Sequence, residues 1–431
     1  MFFNIFSINQ KILKLFIFTG PIKFISSLGF IIFNIYMINF IEKVDLGNFL
    51  LCLSLIILLS IFSKAGLSYV VLRTMSVLYN NKDKKKFFPH IKQSLFLSSL
   101  ISILIIALTL YFEDYIALNI YNNENIRGLL TILVFSLPFY TFVQIQKSII
   151  KSFKLPYIAP LADIGMILLI VILFTFFSNF FGFAINIYRL AFLFLIINIV
   201  LFAFFNLLIF YLFISKFKNL NAPEVLKEEK VLSNSLLDFF IIDFVNYVFI
   251  WGSIFICSFY LDAKNLADFS SIYWLAFTPL FFPIVLNSIY APIFAVNYNS
   301  NNLLKLKDSF NESKKIAIII CIPISLILFF FSPLILGFVF NIQGYDYNYC
   351  FKLLILAALV RIIFGPVQNA LNMSNHESYV RKITLFTSIT QILTMFIAIN
   401  FYGIVSLAYI YLIFNTLKFY LLNKRFNKIF T

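Results

Sequence analysis

The sequence predicts an all-α, polytopic membrane protein of about twelve transmembrane helices, and three observations carry that expectation. Of 431 residues, 62% are hydrophobic and only 12% charged, whereas soluble domains carry about 25% charged residues. Uncharged stretches long enough to cross a bilayer, which takes about 20 apolar residues each, recur along the whole chain. The apolar runs do not alternate as strands would, and lipid excludes open sheet edges.

Stretches 24–41, 46–63, 93–112, 128–146, 165–188 and 190–215 contain no Asp, Glu, Lys or Arg. Neither do 244–261, 269–304, 316–345, 362–376 and 383–417. The last is long enough for two helices, with Asn400, Phe401, Tyr402 and Gly403 marking the turn, because Asn and Gly accept turn backbone. The first stretch lacks a small-residue cleavage site, so it is expected to remain as a helix. Pro279, Pro283 and Pro292 in the eighth helix, and Pro323 in the ninth, permit bends. Trp274 and Tyr290 are expected in the interfacial aromatic belt.

Orientation follows from the distribution of Lys and Arg. Most of the 33 basic residues fall in the N-terminus, in the loops near 64–92, 147–154, 216–230, 305–315 and 381–382, and in the C-terminus. With twelve crossings these segments share one side. Lys43, Arg127, Arg189, Lys264 and Lys352 fall on the other. Both termini are therefore expected in the cytoplasm, with the chain in a bacterial cytoplasmic (inner) membrane. The formal net charge of +15 is a topology signal. Lys82, Lys84, Lys85 and Lys86 read as topology or anionic-lipid contact, and nucleic acid is not expected as a partner.

Catalytic motifs are absent. The 12 glycines form neither a P-loop nor a dinucleotide fingerprint, and no H-E-x-x-H or C-x-x-C occurs. His90 and His376 are far apart in sequence. Cys52, Cys257, Cys321 and Cys350 are scattered, so no disulfide, metal site or cofactor is expected. The short outer loops leave no room for an extracytoplasmic catalytic domain, and the longest inner loop, 64–92, is too short for a nucleotide-binding domain. The chain is expected to transport rather than catalyse, driven by an ion gradient, by the membrane potential or downhill.

A weak internal repeat is legible. Leu46, Gly47, Asn48 and Phe49 open the second helix, and Leu266, Ala267, Asp268 and Phe269 open the eighth, about half a chain later. Gln146 and Tyr157 are echoed at the same spacing by Gln368 and Tyr379. Six crossings return the chain to its starting side, so two six-helix bundles of like orientation are expected, 1–218 and 219–431. Transporters commonly hold substrate between such repeats.

Several segments together resemble a known group. Asp45 to Phe49, then Lys64, Ala65, Gly66 and Leu67, then Arg73, are similar to that group's second helix and following loop. Leu137, Pro138, Phe139 and Tyr140 through Lys151 and Pro156 resemble its fourth helix and exit. Gly365 and Pro366 through Leu371 to Glu377 resemble the tenth, and Tyr402 to Ala408 the start of the twelfth. The group is the Wzx-type polysaccharide (O-antigen) flippases of the multidrug/oligosaccharidyl-lipid/polysaccharide exporter superfamily, whose fold is MATE-like.

That resemblance implies an undecaprenyl-pyrophosphate-linked oligosaccharide as substrate, passed between leaflets for surface polysaccharide synthesis. A polysaccharide polymerase is an implied partner, and H+ or Na+ an implied coupling ion. The pyrophosphate needs cations in a shielded cavity, and ionisable groups inside helices are costly enough to mark function. Lys23, two turns into the first helix beside Gly20 and Pro21, Arg73 after the second, and Arg361 inside the tenth are the candidate pyrophosphate ligands. Snorkelling, topology and structural pairing are their respective competing explanations. Asp163, Asp238 and Asp243 are the candidates for ion coupling. A helix-dipole role competes at Asp163 and Asp238. The alternative substrate classes are cationic drugs moved by a cation-coupled exporter, which favours an acidic cavity, and lipid II. A membrane polysaccharide polymerase or ligase is a further alternative, but it generally needs a large basic outer loop.

Overall fold

The computed structural model describes residues 10–37, 40–120, 124–180, 182, 186–217, 233–258, 269, 272–273, 275–340 and 344–430. Trp274 and Lys264 lie outside them. The described chain is helical, and no strand occurs among these residues.

Its principal helices are α1 (Gln10–Met37), α2 (Lys43–Lys64), α3 (Leu67–Asn80), α4 (Lys84–Tyr111), α5 (Arg127–Val134), α6 (Leu137–Ser152), α7 (Ile164–Phe180) and α8 (Ile187–Phe217). They continue as α9 (Ser233–Ser258), α10 (Phe281–Asn299), α11 (Leu303–Phe330), α12 (Ser332–Phe340), α13 (Tyr345–Phe364), α14 (Val367–Met373) and α15 (Glu377–Phe430). Among the described residues seven helical segments are long and apolar enough to cross a membrane, and two bent pairs, α2/α3 and α5/α6, add two crossings. α1, α7 and α9 stand at the three remaining places where the sequence predicts crossings.

Several boundaries differ from expectation for identifiable reasons. The expected inner loop 64–92 is mostly helix: α2 turns by 51° into α3 through Ala65 and Gly66, both in the left-handed region at φ 45° and 78°. Gly66 is required there twice over, since a Cβ would also meet the Leu236 carbonyl oxygen at 2.5 Å. Pro138 starts α6 and ends α5, giving the 42° break. The tenth crossing is α13, ending at Phe364, so most of 362–376 is the exit turn and α14. Gly365, at φ 72°, makes that turn. The break expected near Gly403 is present, at φ 60° within α15. Tyr290 is fully buried rather than interfacial.

Small polar residues enter the interior beside the apolar core, while large apolar side chains also cover the outside. On α4, Ser94, Ser98, Ser102 and Thr109 are buried while Phe96, Leu100, Ile103, Leu104 and Leu108 are exposed. Small residues on the buried face let backbones approach closely, and large apolar ones face lipid. Ser94, Ser102 and Thr109 hydroxyls donate to the carbonyls of His90, Ser98 and Ile105 on their own helix, so they enter the interior already satisfied.

The chain packs as two bodies, one of Gln10–Phe240 and one containing Ile241–Thr431. In the first, Phe33, Phe49, Phe194 and Phe205 are among the fully buried side chains. Phe351, Tyr273, Met395 and Tyr411 belong to the core of the second.

Candidate functional site

The first body gathers four charged side chains. Gly29 on α1 and Gly165 on α7 lack side chains, so the helices touch backbone to backbone. A Cβ on Gly29 would stand 2.2 Å from the Gly165 carbonyl oxygen. That crossing carries α1 past the start of α7. There a short 3-10 turn, Ala159–Ala162, ends at Asp163, whose extended backbone (ψ 145°) leads into the helix.

The Asp163 carboxylate points back at two neighbours. Its Oδ2 is ion-paired with Lys23 Nζ and its Oδ1 with Lys147 Nζ. Ser26 Oγ, one turn along α1 from Lys23, donates to Oδ2 at 3.2 Å. Gln144 Nε2 on α6 donates to the Ala162 carbonyl at 2.6 Å and holds the preceding turn. All three groups are largely shielded, with side-chain exposures of 21% for Lys23, 20% for Lys147 and 10% for Asp163. Lys151, one turn beyond Lys147 on α6 and partly buried, lies within electrostatic range of Asp163, Lys147 and Lys23. Two lysines thus share one carboxylate and a third stands a turn away, so lysines outnumber acids in the cluster. Charges in membrane helices are expensive unless compensated, so such a cluster suits an anion.

Of the sequence candidates, the structure brings Lys23 and Asp163 together. Asp163, a candidate for ion coupling with a helix-dipole role as the competing explanation, stands directly before α7 and pairs through both oxygens with lysines. Arg73 is buried on α3 with 7% exposure. Its Nη2 donates to Ser235 Oγ at 2.9 Å, and its guanidinium stands 5.4 Å from the Phe239 ring centre. Asp238, 3% exposed on α9, belongs to the same body. It lies beyond the first helical turn, which holds no acid, so the helix-dipole explanation does not fit it. Arg361 and Asp243 belong to the second body. Arg361 sits in the last turn of α13, within electrostatic range of buried Lys418 on α15. Asn415 Nδ2 ties α15 to α13 by donating to the Ala357 carbonyl at 2.7 Å.

Lys147 and Lys151 escape a sequence reading because they count as inner-loop charges in a topology tally. The signal that could have found them is spacing: Gln144, Lys147 and Lys151 recur at helical intervals behind an apolar run, one polar stripe on one face. Among the described residues no group of His, Cys, Asp and Glu could hold a metal ion. Cys52, Cys321 and Cys350 are buried free thiols.

No protein-family model matches the chain, and no curated protein matches it. Solved structures do. A point mutant of a MATE transporter aligns with TM-score 0.77 at 14% identity, over 97% of this chain and 95% of its own. An outward-facing multidrug resistance MATE family transporter of the MOP superfamily gives 0.72 at 14% identity over the same shares, 97% and 95%. A MOP superfamily transporter from Pyrococcus furiosus, described as having a binding pocket of reverse polarity that suggests a different function, gives 0.70 at 14% identity, again over 97% and 95%. The chain therefore has the MATE transporter fold over nearly its whole length.

Proposed function

We propose that the chain is a flippase of the inner membrane that exports a lipid-linked oligosaccharide, gripping its pyrophosphate, with both termini in the cytoplasm and six-helix halves 1–218 and 219–431. The observation that carries this reading is the charge of the cluster where α1, α6 and α7 meet: Lys23 and Lys147 on Asp163, with Lys151 one turn further along α6. A cavity for cationic drugs needs the opposite sign. One structurally similar transporter is described as having a binding pocket of reverse polarity that suggests a different function. Lys23 and Lys147 come from different helices, so one multivalent anion can be held from two sides, which a phosphate-bearing head group offers. Arg73 in the first body and Arg361 in the second are each proposed as basic groups for the pyrophosphate, and Asp163, Asp238 and Asp243 as acidic groups available for coupling to H+ or Na+.

The test is a deletion strain. Loss of the protein should abolish surface polysaccharide and build up lipid-linked oligosaccharide in the inner leaflet, with cationic-dye efflux unchanged. Normal polysaccharide with impaired dye efflux would favour the multidrug-exporter reading, which the shared fold also accommodates.

A further inference from the structure

Asp163 is more than a counter-charge. Both its oxygens are taken, by lysines from two different helices, and Ser26 adds a third donor. Two ammonium groups and a hydroxyl arranged around a pair of coplanar oxygens are also a seat for two oxygens of a phosphate. Lys151 stands one turn away with no hydrogen bond or ion pair among the described residues, so a larger anion finds an additional cation that the carboxylate leaves unused. We propose that Asp163 is a tethered stand-in anion. In the empty protein it fills the seat on Lys23 and Lys147 that the phosphate of the substrate takes, and loading exchanges one anion for the other. The inference rests on the anionic reading of this site given above.

The geometry gives the exchange two consequences. The empty cluster avoids leaving its shielded lysines without a counter-charge, which would be costly. The same carboxylate stays within reach to retake the lysines and expel the phosphate, so it limits affinity and speeds release. Asp163 also joins α1, α6 and the start of α7 through one group, and the exchange transfers that link to the substrate.

The experiment uses the full-length protein in lipid nanodiscs and a short-chain polyprenyl pyrophosphate as probe, with the uncharged polyprenol as control and inorganic pyrophosphate as competitor. Asp163→Asn should bind the probe about tenfold tighter than wild type and release it more slowly, with polyprenol binding unchanged. Lys147→Gln should bind about tenfold more weakly. Inorganic pyrophosphate should displace the probe, since the seat reads the phosphate and not the tail. Because Asp163→Asn removes the carboxylate that Lys23 and Lys147 share and can destabilise the fold, Lys23→Gln with Asp163→Asn is measured beside it, with Lys23→Gln alone as the reference. That pair conserves net charge and releases Lys147 from Asp163, so it should bind more tightly than Lys23→Gln alone. Equal or weaker binding by Asp163→Asn when folded, or a charge-balanced pair that binds no tighter than Lys23→Gln alone, overturns the exchange and makes Asp163 a structural pin. If Lys147→Gln still loses the probe in that case, the anion-binding reading survives. Wild-type protein that binds no pyrophosphate probe removes both.

Discussion

Gly29 and Gly165 meet so closely that a single methyl group on Gly29 would lie 2.2 Å from the Gly165 oxygen and 2.6 Å from its carbonyl carbon. The charged cluster is built on that contact, because it sets how far α1 travels along α7 before Lys23 and Ser26 reach Asp163. Gly29→Ala should therefore lower the midpoint of thermal unfolding in detergent and cost about 1–3 kcal/mol, as overpacking does elsewhere. Gly20→Ala is the control on the same helix. A Cβ there meets nothing within 4 Å, so the midpoint should hold or rise, Ala being the better helix former. An unchanged midpoint for Gly29→Ala would mean that the α1–α7 crossing is looser than described.

Arg73 separates binding from folding. Its guanidinium is shared between Ser235 and the Phe239 face, contacts that require a planar fork. Arg73→Lys should reduce membrane abundance and thermal stability, and Ser235→Ala should do so to a smaller degree. In its proposed role Arg73→Lys should also lose part of the export per molecule of protein in the membrane, and normal export per molecule would remove Arg73 from the substrate site.

Arg361 makes the opposite prediction. In its proposed role Arg361→Ala should lose polysaccharide export while remaining abundant in the membrane, and Arg361→Lys should keep part of the activity. Immunoblots of membranes beside a surface-polysaccharide assay settle the matter. Normal export by an abundant Ala variant would remove Arg361 from the site.

Topology can be read at two positions. Arg127 and Asp114 form an exposed ion pair at 2.6 Å next to the start of α5, on the side expected to face outward. Arg127→Cys should react with a membrane-impermeant maleimide in intact cells, and Lys85→Cys should react only after lysis. Labelling of Lys85→Cys in intact cells would invert the orientation.

How much of this is legible from sequence differs by element. The fold class is, because hydrophobic length is a property of the chain alone, and so is the break at Gly403, where Gly accepts backbone that other residues avoid. The α2–α3 bend is not. Lys64 looks like the end of a crossing, and nothing local reveals that Ala65 adopts a left-handed conformation or that Gly66 packs against Leu236 and Phe239. Lys23 stands out in the sequence as a charge inside a helix, yet its partner cannot be found there, since Asp163 is distant in sequence and its own surroundings suggest only a helix start. Lys147 and Lys151 are hidden by the same charge tally that gives the orientation.

The buried row of serines on α4 has a mechanical consequence. Ser94, Ser98 and Ser102 follow one another at a helical turn apiece, and two of their hydroxyls are bonded within their own helix. Between Ser94 and Ser102 this face is small and smooth, while at the start of the helix Phe87 is fully buried against the Phe153 and Phe213 rings, and Ser63 contacts Ser102 further along. The first body is therefore fastened in two ways: charge joins α1, α6 and α7, and α4 is anchored at one end by aromatic packing and lies close along the rest of its length because its buried side chains there are small.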